Sequence, residues 1–132
     1  MNTPKLQDIK FVEWCNGESE ESFDLRFMIA HIGKSEARRP QLMDIGGGTG
    51  RCAEVASRAL AESHVDVVDI SPLAREHFTR STSCSLMFGD FLSLPFSKKY
   101  DFIMMRTVLH HMVGRTEREN VDRQIARRRG TR

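Results

Sequence analysis

A chain of 132 residues holds one domain with a modest core, and 39% hydrophobic with 29% charged residues is the composition of a globular protein rather than a disordered or fibrous one. The formal net charge of +2 hides an asymmetry: Arg123, Arg127, Arg128, Arg129 and Arg132 fall in the last ten residues, so the body carries −3 and only the tail is basic. Three widely spaced cysteines (Cys15, Cys52, Cys84) with no C-x-x-C pair argue against a disulfide framework and a zinc site, and the lack of a signal-peptide or membrane-spanning apolar run adds to the expectation of a cytoplasmic protein with reduced thiols and no membrane partner.

Thr3-Pro4 reads as an N-cap with proline at the first helical position, and Leu6, Ile9 and Val12 recur at helical spacing as far as Trp14. Asn16-Gly17 breaks that helix. Ser19 caps a second, with Glu20 and Glu21 in its first turn and an apolar stripe of Phe23, Phe27 and Ala30 ending near Gly33. Both helices are expected to pack against the sheet that follows.

The stretch Leu42-Met43-Asp44-Ile45-Gly46-Gly47-Gly48-Thr49-Gly50-Arg51 is an apolar run that ends in an acid and alternating glycines. A helix-forming segment, Cys52 to Ala61, follows, so the stretch reads as strand, tight turn and helix, with the first strand at Gln41 to Ile45. The helix should bury Cys52, Val55, Ala56, Ala59 and Leu60. Glycine suits such a turn because backbone without Cβ can touch a ligand lying across the strand's end. Spacing narrows the choice of ligand. A G-x-G-x-x-G dinucleotide fingerprint begun at Gly46 would need glycine where Arg51 stands, which disfavours a nucleotide-dependent oxidoreductase, and a P-loop would need Lys and Ser or Thr where Arg51-Cys52 stand.

The second strand is Val65 to Val68, closing in Asp69-Ile70, and Ser71-Pro72 opens a helix through about Thr79. Ser85 to Phe88 is the third strand, closed by Gly89-Asp90, and Asp101 to Met105 the fourth. Strands alternating with helices argue for βαβ units and a parallel sheet.

The pattern D-x-G-x-G-x-G at Asp44 to Gly50 resembles motif I of the Rossmann-like (class I) S-adenosylmethionine-dependent methyltransferases, and the resemblance runs from about Leu42 to Met112 as four motifs in order. It implies an α/β fold, a three-layer sandwich whose mostly parallel sheet runs 3-2-1-4 here. It implies S-adenosylmethionine as cofactor, held by Asp44, Gly46, Gly48 and Gly50, by Asp69 on the ribose hydroxyls with Ile70 beside it, and by Asp90 and Phe91 on the adenine. Tyr100 to Met112 resembles motif IV and the helix start after it, which places Arg106 or Thr107 near the methionine end of the cofactor. The acceptor would be a small molecule near His110, the candidate general base; adjacent helical residues diverge by about 100°, so only one of His110 and His111 should face the pocket.

The family sheet usually continues to a seventh strand, whereas no apolar run after Met105 reads as one. This division puts a methyltransferase-like domain at 1–115 (helices within 1–36, cofactor-binding half 40–115) and a polar helix dissolving into an arginine-rich tail at 116–132. The chain is therefore expected to be C-terminally truncated, with self-association through the edge of strand four and a non-catalytic SAM-binding protein as the alternative function. No metal site is expected, since His110-His111 lacks the i, i+4 spacing of a zinc helix, and nucleic acid is disfavoured because a short basic end on an acidic body is ordinarily a solvated terminus.

Overall fold

A computed structural model describes residues 23–95, 98–105 and 115–129. Its elements are α1 (Phe23–Gly33), β1 (Gln41–Ile45), α2 (Arg51–Ala59), β2 (His64–Asp69), α3 (Pro72–His77), β3 (Cys84–Phe88), β4 (Phe102–Met105) and α4 (Arg115–Arg128). The four strands form one parallel sheet in the order β3-β2-β1-β4, the expected 3-2-1-4. Ile45 lies level with Val68 on one side and Met105 on the other, so the C-terminal ends of β1, β2 and β4 share one rim.

Both faces of the sheet are apolar because alternate residues of each strand point to opposite sides, and a parallel sheet is covered on both. On one face Leu42, Val65, Val67 and Met104 pack with Ala53 and Ala56 of α2, with Leu60 just past its end and with Ile32 of α1. On the other, Met43, Ile45 and Val68 pack with Phe91 and Tyr100, flanked by Leu92, Leu94 and Ile125 of α4. The outer edge of β4 pairs with no strand among the described residues.

The expected stripe on α1 is corrected. Phe27 is 65% exposed and Ala30 is exposed; the helix instead buries Leu25 and Ile32 and half-buries Met28 and Ile29. Two apolar stripes compete on this helix, and the one at 25, 28, 29 and 32 wins because it seats four aliphatic side chains. On α2, Ala59 is exposed and Ala53 is buried in its place. α3 stops at His77, two residues early, because Phe78 turns into extended backbone and lays its ring beside Gly50. The arginine run is helical through Arg128 where the sequence suggested loss of order, and Arg129 bridges to Tyr100, whose N–H donates to the Arg128 carbonyl at 2.9 Å. Cys52 and Cys84 are both buried and stand as thiols outside any disulfide. The first predicted helix and Cys15 lie outside the described residues.

Candidate cofactor site

The turn after β1 is built by glycine backbone. Gly46, Gly48 and Gly50 take φ of 75°, 60° and 82°, the left-handed region that other residues enter only with strain. The Gly46 N–H donates to the Val68 carbonyl at 2.7 Å, tying the start of the turn to β2, and Gly50 stands at the N-cap of α2. Gly47, which the sequence reading passed over, matters for a different reason. A Cβ there would stand 2.6 Å from Val67 Cγ1 and 2.7 Å from Asp44 Oδ2, so the turn closes directly over the Asp44 carboxyl, itself only 2% exposed. The signal available in the sequence was the unbroken Gly46-Gly47-Gly48 run.

Asp69 ends β2 and fastens two elements at once. Its Oδ2 accepts from the Gly48 N–H and its Oδ1 from the Ser71 N–H, both at 2.8 Å. Ser71 then caps α3, accepting from the Leu73 N–H at 3.2 Å, with Pro72 at the first helical position. Each carboxylate oxygen has a second lone pair left for a ligand. Beyond β3, Asp90 organises the next turn: Oδ1 accepts from the Leu92 N–H at 3.0 Å, and the Asp90 carbonyl accepts from the N–H groups of Ser93 and Leu94. Phe91, 5% exposed, folds its ring into the second core cluster.

Gly46, Asp69, Ile70, Asp90 and Phe91 meet around one cleft of about 110 Å³, floored by Ile45 and Val68, at the C-terminal ends of β1, β2 and β3. Ile70 is 65% exposed at its lip. Asp44 lies beneath the turn, and Gly48 and Gly50 farther along it, so these three shape the cleft without lining it. Arg106 and His110, together with Thr107 and His111, lie outside the described residues.

A second polar cluster, unanticipated from sequence, sits toward the opposite ends of the strands. Asp66 of β2 accepts from Tyr100 Oη at 2.7 Å, Ser85 Oγ at 2.6 Å and Lys98 Nζ at 3.2 Å, and its Oδ1 lies 2.9 Å from His64 Nε2. Burial pulls the Asp66 pKa upward, but the Ser85 and Tyr100 hydrogen bonds and the Lys98 charge outweigh it and hold the carboxyl below its ordinary value. Burial and the neighbouring carboxylate push the Tyr100 phenol in the other direction, well above its ordinary value. The one hint was an acid inside the otherwise apolar run Val65-Asp66-Val67-Val68.

A parallel α/β sheet with a glycine turn and acids along its C-terminal rim is the framework of a nucleoside-type ligand site, where open α/β sheets bind their ligands. The chain belongs to the methyltransferase-domain family, whose model matches residues 42–128. No curated protein sequence matches it.

Solved structures resemble it in fold. The SAM-bound amino pentose methyltransferase from Micromonospora echinaspora involved in calicheamicin biosynthesis superposes with a TM-score of 0.72 at 16% identity, over 98% of this chain and 55% of that one. The N-methyltransferase NodS from Bradyrhizobium japonicum in complex with S-adenosylhomocysteine gives 0.70 at 16% identity, over 89% and 61%. A TehB-like SAM-dependent methyltransferase from Corynebacterium glutamicum gives 0.68 at 19% identity, over 94% and 67%. The chain thus spans roughly half to two thirds of the length of these structures. Among the described residues no helix is long and apolar enough to cross a membrane.

Proposed function

We propose that this chain binds S-adenosylmethionine in the rim cleft and serves methyl transfer to a small-molecule acceptor. The observation that carries this reading is the convergence of Gly46, Asp69, Ile70, Asp90 and Phe91 on one cleft. The residues fit the group. The turn offers bare backbone, two carboxylates stand at the lip for hydroxyl and amino donors, and apolar Ile45, Val68 and Ile70 suit a flat ring. At about 110 Å³ the cleft is smaller than the roughly 300–1,000 Å³ of a pocket that encloses a whole ligand, so it suits one ring of the cofactor.

Asp69 would take the ribose hydroxyls on its remaining lone pairs while its bonds to Gly48 and Ser71 hold the carboxylate still. Asp90 would accept from the adenine amino group, and the Phe91 N–H would meet the ring. Arg106 would lie at the methionine end and His110 would accept a proton from a hydroxyl or acidic-carbon acceptor. The cofactor itself supplies a methyl group on a sulfonium, for which holding donor and acceptor in line provides much of the acceleration.

Calorimetry with S-adenosylmethionine and S-adenosylhomocysteine tests the binding. Saturable binding is expected, weakened at least about tenfold in Asp69→Asn, a loss of about 1.4 kcal/mol. Well-folded protein that binds neither compound, or an Asp69→Asn variant that binds as tightly as the parent, refutes the proposal. Binding with no methyl transfer to any member of a panel of amine and hydroxyl acceptors would leave the cofactor site standing and remove the catalytic half.

A further inference from the structure

The glycine turn after β1 is tied to both ends of α3. At the helix start, Asp69 accepts from the Gly48 N–H on one carboxylate oxygen and from the Ser71 N–H on the other, so a single side chain joins the turn to the helix cap. Past the helix end the backbone becomes extended at Phe78 and comes back onto the same turn. There the Thr79 N–H donates to the Thr49 carbonyl at 3.2 Å, and the Phe78 ring lies against the bare Cα of Gly50, where a Cβ would stand 2.4 Å from Phe78 Cε2. Gly48, Thr49 and Gly50 are thus each fastened to the segment 69–79, and the contacts close a circuit through α3. Phe78 is the bulky member of that circuit: it also packs against the core cluster that holds Ala53 and Ala56 of α2, the helix that Gly50 caps.

We propose that Phe78 is a positioning residue of the cofactor site, acting through Gly50; this role rests on the reading of the rim cleft as the S-adenosylmethionine site. Phe78 is not among the residues that line that cleft, so its effect on a ligand passes through the turn. A glycine-rich turn loses more backbone freedom on ordering than other sequences of its length. With the Phe78 ring in place that loss is taken during folding, and the ligand meets a turn already in shape, with the Gly48 N–H holding Asp69 still. Without the ring the turn would populate other backbone shapes, and the apparent affinity would fall by the fraction of molecules that keep the competent one. The ring also gives position 50 a second reason to be glycine besides its positive φ, since Phe78 occupies the place a side chain would take.

The test is calorimetry with S-adenosylhomocysteine, alongside amide hydrogen exchange without ligand, on the full chain carrying Phe78→Ala, Phe78→Leu, Gly50→Ala or Gly50→Ala with Phe78→Ala. Phe78→Ala should bind about tenfold more weakly per folded molecule, which corresponds to a competent turn in about one molecule in ten. Its amides at residues 48–50 should exchange faster than the parent's, while those of Val65 to Val68 change only as overall stability does. Phe78→Leu keeps an apolar side chain in the core and should show both effects to a smaller degree. Gly50→Ala should weaken binding in the parent, and weaken it less once Phe78→Ala has cleared the space for the methyl group. Tyr100→Phe, a loss of stability toward the opposite ends of the strands, should leave affinity per folded molecule unchanged. A parent that binds neither S-adenosylmethionine nor S-adenosylhomocysteine overturns the cofactor reading and this role with it. Binding by the parent together with equal affinity per folded molecule in both Phe78 variants, unchanged exchange at 48–50, or additive losses in the double variant would overturn the role of Phe78 alone and leave the rim cleft standing.

Discussion

Gly47→Ala isolates the physical basis of the glycine turn, because this residue is glycine for want of space. The added Cβ would stand 2.6 Å from Val67 Cγ1 and 2.7 Å from Asp44 Oδ2, where ordinary contact begins at 3.4 Å, so something must move by about 0.8 Å. Neither neighbour yields easily: Val67 is fully buried between α2 and the sheet, and Asp44 is 2% exposed. Overpacking of a filled site costs about 1–3 kcal/mol. For a domain of this size each kcal/mol lowers the melting temperature by about 4 °C, giving an expected fall of roughly 4–12 °C. Gly33→Ala is the matched control, since its nearest neighbour, Leu60 Cδ2, lies at 3.8 Å, and it should melt within about 2 °C of the parent. Because Gly46 lines the rim cleft, the same shift should weaken S-adenosylhomocysteine binding in Gly47→Ala and spare it in Gly33→Ala. Thermal unfolding followed by circular dichroism, with calorimetry alongside, reads both effects. Equal melting temperatures for Gly47→Ala and the parent would show that the turn relaxes freely and that the crowding argument is wrong.

Ser71→Ala removes the acceptor for the Leu73 N–H and should cost about 1 kcal/mol, measured by urea denaturation with an unchanged m-value. Tyr100→Phe deletes the phenol that donates to Asp66 and should destabilise by about 1–3 kcal/mol. Stability should fall in acid because the folded Asp66 pKa is below its unfolded value of 3.8: the contribution is complete above that value and is lost as pH drops through the folded pKa, and Asp66→Asn should flatten this limb of a pH–stability curve. The Tyr100 phenol works in the opposite sense, its contribution complete below pH 10.0 and lost as pH rises toward the elevated folded value, so Tyr100→Phe should flatten the alkaline limb.

The sheet could be read from sequence because its strands are short apolar runs closed by acids and glycines. β1 falls at the expected Gln41–Ile45, and the other strands shift by a residue at one or both ends. The rim residues Gly46, Asp69, Asp90 and Phe91 were legible for the same reason, since a residue just past a strand's end has its place set by the strand. Helix faces were harder. α1 has apolar residues on two sides, and only tertiary packing decides that Leu25 and Ile32 go inward while Phe27 stays out. Gly47 was missed because its constraint lies in how the fold seats the Asp44 carboxyl and Val67, the latter twenty positions away, against it, and the glycine run marks the turn without showing that crowding. Arg128 and Arg129 read as tail because their order depends on Tyr100, a partner remote in sequence.

Two aspartates of β2, three residues apart, show how position in the sheet decides what the same side chain does. Asp66 lies within the strand, where backbone groups are taken up by the ladder, so its donors are side chains brought from elsewhere: Ser85 from β3, Lys98 and Tyr100 from the segment entering β4. It therefore fastens distant parts of the chain to one another, and Tyr100 passes that anchorage to the end of α4 through its backbone bond to Arg128. Asp69 stands where the strand stops, and its donors are the backbone N–H groups of Gly48 and Ser71, left free as the chain turns. Those bonds leave it half-buried beside the cleft, with one donor on each carboxylate oxygen. Exchanging the acids for amides should accordingly separate the two roles: Asp66→Asn should lower the melting temperature with little change in the affinity of S-adenosylhomocysteine per folded molecule, whereas Asp69→Asn should lower that affinity more than its stability loss predicts. If both substitutions reduced binding only in proportion to the fraction unfolded, Asp69 would be a structural acid like Asp66, and the role proposed for it in the rim cleft would be refuted.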